Sequence, residues 1–133
     1  MKITGSAADI GVYTRDIDAM LAFYCETLGW KKVGEVTFPG GRVQHRIEIG
    51  GSLLKLMQFA EGDTPPAAPP GRMAQTGIRY FTLQVQDLES VARELEGKGV
   101  TLVVPPREAR PGVWILMVED PEGNTIELLE QRG

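Results

Sequence analysis

The chain has a single cysteine, Cys25, and a single histidine, His45. One cysteine excludes an intrachain disulfide and a thiolate metal cluster, and one histidine excludes any metal site built from several histidines. A Ser-His-Asp arrangement is not excluded by that count. No apolar run approaches the roughly 20 residues that a membrane span requires, and the N-terminus lacks a basic-then-apolar signal pattern. Basic residues are also in deficit: 14 Lys and Arg stand against 18 Asp and Glu, a formal net charge of −4, with no basic cluster to form a nucleic-acid surface. The expectation is a cytoplasmic protein with neither a nucleic-acid nor a membrane partner.

What is present is the composition of an ordinary globular domain, 42% hydrophobic and 24% charged over 133 residues, enough for one real core. Residues 8–14 alternate as a strand. Asp16 then caps a helix in which Ile17, Met20, Leu21, Tyr24 and Leu28 share a face, and Gly29 ends it. Trp30 to Phe38, Arg42 to Ile49 and Ser52 to Gln58 read as three strands joined by Pro39-Gly40-Gly41 and Gly50-Gly51. Residues 59–77 lose all periodicity and hold four of the nine prolines, so they read as a linker.

The first pattern then returns. Ile78 to Val85 alternate, Asp87 caps a helix carrying Leu88, Val91, Ala92 and Leu95, and strands follow at Thr101–Val104, Val113–Glu119 and Asn124–Glu130. The chain is thus one α+β domain of two tandem βαβββ modules, residues 8–58 and 78–131. Asp16-Ile17-Asp18 falls on Asp87-Leu88-Glu89, and Gly51-Ser52-Leu53-Leu54-Lys55-Leu56 on Gly123-Asn124-Thr125-Ile126-Glu127-Leu128. Lys55 is therefore the repeat partner of Glu127, and Asp9 that of Tyr80. Repeated modules commonly pack about a pseudo-twofold axis, where equivalent residues converge.

If each helix covers the more apolar side of its sheet, it covers Ile10, Val12, Leu54, Leu56, Phe81, Leu83, Val85, Ile126 and Leu128. The other face carries Asp9, Tyr13, Lys55, Met57, Tyr80, Thr82, Gln84, Glu127 and Leu129. Polar and aromatic side chains there suit a lined ligand cavity, with Trp114 as a further aromatic wall. Two readings of Glu127 and Lys55 stay open: an ion pair bridging the modules, or functional groups that hold an anion and move a proton. His45 is read either as a satisfied structural residue among Val43, Ile47 and Ile49 or, if its face lines the cavity, as the acid/base group. Cys25 reads as an inert, buried thiol.

The paired modules, Phe23-Tyr24 with Leu28-Gly29-Trp30 in the first helix, and Asp120-Pro121-Glu122-Gly123-Asn124 leading into Ile126-Glu127-Leu128 resemble the vicinal oxygen chelate superfamily. That superfamily holds glyoxalase I, extradiol dioxygenases and the bleomycin-resistance proteins. The resemblance implies the glyoxalase/bleomycin-resistance/dihydroxybiphenyl dioxygenase-like fold, a homodimer, and a small-molecule ligand in a cavity between modules. It also implies a divalent metal (Zn, Ni, Mn or Fe) on one residue from the first and one from the last strand of each module. The matching positions are Asp9, Lys55, Tyr80 and Glu127, of which only Glu127, with Asp9 second, is a usual ligand. The expectation is therefore a degraded metal site with no cofactor and a binding protein of the bleomycin-resistance type. The alternative is a lyase or isomerase, metal-dependent or using Glu127, Lys55 or His45 for proton transfer.

Overall fold

The computed structural model describes all residues, 1–133. In the first module the strands are β1 (Ile10–Thr14), β2 (Lys31–Thr37), β3 (Val43–Ile49) and β4 (Ser52–Gln58), in the sheet order β1-β4-β3-β2. In the second they are β5 (Tyr80–Gln84), β6 (Leu102–Arg110), β7 (Val113–Glu119) and β8 (Thr125–Gln131), in the order β5-β8-β7-β6. Each first strand runs parallel to its last, and every other pairing is antiparallel. A helix supplies the crossover that parallel neighbours need. Contacts divide the chain into two compact units, Met1–Ala67 and Ala68–Gly133, whose boundary falls inside the expected linker. No helix is long and apolar enough to cross a membrane.

The first helix begins as expected, with Asp16 Oδ1 accepting from the Ala19 backbone N–H at 3.0 Å. Regular α-helix (α1) covers only Ile17–Leu21, and Ala22–Thr27 continues as a π-helix. A regular helix to Gly29 was the expectation, and aromatic packing accompanies the departure. Tyr24 is fully buried between Phe23, edge-on at 5.1 Å, and Trp30 at 5.4 Å. The Leu28 N–H reaches back to the Phe23 carbonyl, the five-residue spacing of a π turn. Gly29 then leaves the helix with φ +74°. The second helix, α2 (Leu88–Gly97), is regular and buries Leu88, Ala92 and Leu95.

The first module's core is Met20, Tyr24, Ile47, Ile49, Leu54 and Leu56; the second's, beneath α2, is Leu116, Val118, Ile126 and Leu128 with the helix residues. In β7, Val113, Ile115 and Met117 form a separate buried cluster with Val104, against which Leu129 packs. The sheet is thus apolar on both faces along β7, which explains that strand's unbroken hydrophobic run.

β6 runs on to Arg110, well beyond the expected Val104. Pro105 and Pro106 cannot donate to a ladder. β6 is an edge strand, however, and absorbs them with register shifts between Val104 and Arg107. The turn before β8 forms as its sequence dictates. Asp120 Oδ1 accepts from the Glu122 and Asn124 backbone N–H groups, each at 2.9 Å, and Gly123 takes φ +82°.

Candidate functional site

Gly50-Gly51 makes a two-residue turn that pairs Ile49 with Ser52 and so fixes the register along the whole β3–β4 hairpin. Directly paired residues share a face. With the β1–β4 pairing, one cross-strand row is Gly11, Lys55, Arg46 and Gly34, and the adjacent row on the same face is Tyr13, Met57, Gln44 and Val36. The opposite face carries the core residues Leu54, Leu56 and Ile47.

Asp9 precedes β1 and lies beside this polar face. Its Oδ1 accepts from the Leu53 backbone N–H at 2.8 Å, and its Oδ2 stands 3.1 Å from Lys55 Nζ. The Leu53 N–H first, then the Lys55 ammonium, hold the Asp9 carboxyl below its ordinary range, with Arg46 adding to the effect. Lys55 therefore takes its counter-charge within its own module. The pairing is local because β1 and β4 are adjacent parallel strands, which brings Asp9 beside Lys55. Arg46 Nη1 donates to Gln44 Oε1 at 2.9 Å, and Gln44 Nε2 to Met57 Sδ at 3.5 Å. Tyr13, 47% exposed, leans on Phe59 with centroids 5.0 Å apart, and its hydroxyl accepts from Arg42 Nη1 at 3.2 Å.

His45 points the other way. It is 7% exposed and pairs with Leu56 on the core face; its Nε2 lies 3.2 Å from Gln58 Oε1. Its Nδ1 approaches Glu35 Oε1 at 3.2 Å without the alignment of a hydrogen bond. The Lys32 ammonium chiefly, and His45 to a lesser degree, keep the Glu35 carboxyl below its usual range. Strand alternation thus separates His45 from Lys55 and Arg46. The thiol of Cys25 is pushed up by burial, which disfavours the reactive thiolate.

In the second module Thr82 and Glu127 are directly paired, and Thr82 Oγ1 donates to Glu127 Oε1 at 2.8 Å. Tyr80, 52% exposed, and Gln84 flank Thr82 on β5. Trp114 does not join them. It shares its face with Leu116 and Val118, paired to Glu130, and the Arg132 guanidinium stacks 4.4 Å from its ring. Arg132 also binds Glu130 and Glu89, and Glu130 in turn accepts from the Asp87 and Leu88 backbone N–H groups at the start of α2. Trp114 therefore belongs to the lock between β8 and α2. Arg46 and Gln44 are the site-facing residues absent from the sequence-derived set, although the Gly50-Gly51 hairpin register could have placed them beside Lys55 and Met57.

The donor set of the first module does not fit a divalent cation. A protonated Lys55 has no lone pair to offer, and Asp9 is already engaged by that ammonium and by a backbone N–H. A cation at ~4 Å from Lys55 would meet about 4 kcal/mol of repulsion per unit charge at an effective dielectric near ~20. No group of three or more His, Cys, Asp and Glu side chains is placed to share a metal.

A sequence model described as the Glyoxalase/Bleomycin resistance protein/Dioxygenase superfamily matches residues 6–128. A protein of Synechocystis sp. called "Probable lactoylglutathione lyase" is 26% identical over 121 residues, 86% of this chain and 87% of that protein. Among solved structures, a glyoxylase/bleomycin resistance protein/dioxygenase domain from Frankia sp. superposes with a TM-score of 0.76 at 21% identity, covering 98% of this chain and 100% of that one. An antibiotic binding protein from Streptomyces sp., TnmS3, superposes with a TM-score of 0.70 at 21% identity, over 98% and 99% of the two chains. With its two tandem modules and a match from residue 6 to residue 128, the chain belongs to the glyoxalase/bleomycin resistance protein/dioxygenase superfamily.

Proposed function

We propose that this protein captures a small anionic molecule without a metal, on the strand face that carries Lys55 and Arg46. The observation that carries the reading is the ion pair between Asp9 and Lys55 at 3.1 Å, where the family resemblance would place two metal ligands. A metal centre and a salt-bridged ammonium make opposite demands on the same position. An ammonium and a guanidinium side by side attract an anion where a metal site would be ringed with carboxylates and imidazoles.

The test is a thermal-melting screen of metal-free protein against a panel of small organic anions, on wild type and Lys55→Ala. Ligands that bind the folded state raise the melting temperature. The expected result is at least one anionic ligand whose shift shrinks in the variant; retention of every shift in Lys55→Ala rejects the assignment.

A second reading has its own observation. The hydrogen bond from Thr82 Oγ1 orients Glu127, at the place where the superfamily resemblance puts a functional carboxylate, and the relative from Synechocystis is named as a lyase. On that reading the protein is a lyase or isomerase in which Glu127 moves a proton. Turnover of lactoylglutathione by wild type, abolished in Glu127→Gln, would support it over capture.

A further inference from the structure

We propose that the first module's polar face binds an arylalkanoate, a carboxylate joined to an aromatic ring through a short alkyl chain. The inference rests on the capture reading above and names its ligand class. Arg46 and Lys55 stand directly opposite each other on adjacent strands, where like charges repel. Asp9 offsets Lys55, but Arg46 has only the neutral amide oxygen of Gln44 as its side-chain partner and no carboxylate within ion-pair distance. One positive charge is left over on a half-buried guanidinium, whose planar fork matches the two oxygens of a carboxylate.

There is also room beside the charge. The row ends in glycine on both sides. A Cβ on Gly11, next to Lys55, would meet nothing within 4 Å, and one on Gly34 would meet only the Arg46 side chain, at 3.6 Å. The neighbouring row supplies the aromatic contact. Tyr13 is steadied by Phe59 and by the Arg42 guanidinium, yet its ring stays half exposed beside Met57. Successive rows on one strand face lie about 7 Å apart. Tyr13 on β1 and Arg46 on β3 also lie two strands apart, about 10 Å across the sheet. The Arg46 guanidinium reaches toward the Tyr13 row through Gln44, so a ligand that touches both needs an alkyl spacer between carboxylate and ring, and 3-phenylpropanoate is the probe.

NMR titration of the full chain, freed of metal with EDTA, against 3-phenylpropanoate and the neutral 3-phenylpropanamide tests this. The acid is expected to bind with a Kd of about 1 mM or tighter, shifting the Gly11, Tyr13, Arg46 and Lys55 amides. The amide, and the acid on Arg46→Gln, should each bind at least about tenfold more weakly, roughly the loss of one charge-assisted contact. Arg46→Lys should lose less than Arg46→Gln, and Gly11→Val should block binding while keeping the wild-type melting temperature. Equal affinity for acid and amide, undiminished binding by Arg46→Gln, or no binding of the acid at about 10 mM overturns the inference. Acid binding that appears only when a divalent metal is restored would instead overturn the metal-independent reading beneath it.

Discussion

The two modules share a topology and differ in what each places at the same point of its sheet. In the first, Gly11 pairs with Lys55, which pairs with Arg46; in the second, Thr82 pairs with Glu127, which pairs with Met117. Glu127 accepts from a side-chain donor in the adjacent strand, Thr82, whereas the equivalent Gly11 has no side chain to accept from Lys55, whose ammonium pairs with Asp9 instead. The same backbone registers thus yield a cationic face flanked by glycines in one module and a single hydrogen-bonded carboxylate beside an apolar cluster in the other. The helix-covered faces of the two modules are both apolar, and the difference lies on the opposite faces.

Core substitutions should show how alike the modules remain. Leu54 and Ile126 are repeat equivalents and both are fully buried. Leu54→Ala and Ile126→Ala should each cost about 2–5 kcal/mol in chemical denaturation, close to one another. A difference beyond that range would show that the two cores are not equivalent.

A smaller effect should separate the hairpin glycines. Gly41 and Gly112 both take positive φ, +93° and +76°, but a Cβ on Gly112 would sit 2.7 Å from the Arg132 carbonyl oxygen, against 3.4 Å from the Ala60 side chain for Gly41. Gly41→Ala should cost about 1–2 kcal/mol, the left-handed backbone penalty. Gly112→Ala should add about 1–3 kcal/mol of overpacking, since backbone must move. Equal melting temperatures for the two variants would break this distinction.

The weakest effect concerns acid. In the second module Arg132, by hydrogen bonds to both, holds the Glu89 and Glu130 carboxyls below their usual range. At the position equivalent to Glu130 the first module has Gln58, bonded to His45. Carboxyls whose folded pKa lies below the unfolded one contribute stability that is present above the unfolded value, about 4.3 for Glu, and is lost as pH falls through the folded value. Arg132→Gln should remove that contribution. Its melting temperature should lie below wild type at neutral pH and converge on it in acid, a small change because all three groups are solvated.

The modules, their helix caps and the closing turn were legible in the sequence because each has a local signal: Asp16 and Asp87 before apolar helical periodicity, and Asp120 to Asn124 as a self-bonded turn. The faces of β1, β4, β5 and β8 followed from alternation alone. Trp114 and His45 were not placed by composition, because an aromatic or an imidazole suits either face and only the hairpin register decides. Arg46 lay hidden for the same reason, within an Arg, Gln, Arg, Glu pattern that reads as an ordinary solvated face. The π-helical turn at Ala22–Thr27 has no sequence mark beyond the aromatic cluster it accompanies, and the extension of β6 through Pro105 and Pro106 depends on its being an edge strand. What Lys55 pairs with was a question of side-chain reach, which periodicity does not encode.

An ion-paired lysine, Lys55, occupies a position where the superfamily resemblance would put a metal ligand. Elemental analysis of the purified protein, with melting curves in added zinc, nickel, manganese and iron(II), tests it most directly. No stoichiometric metal and no metal-dependent rise in melting temperature are expected. A stoichiometric metal that raises the melting temperature and is lost in Glu127→Ala would contradict it.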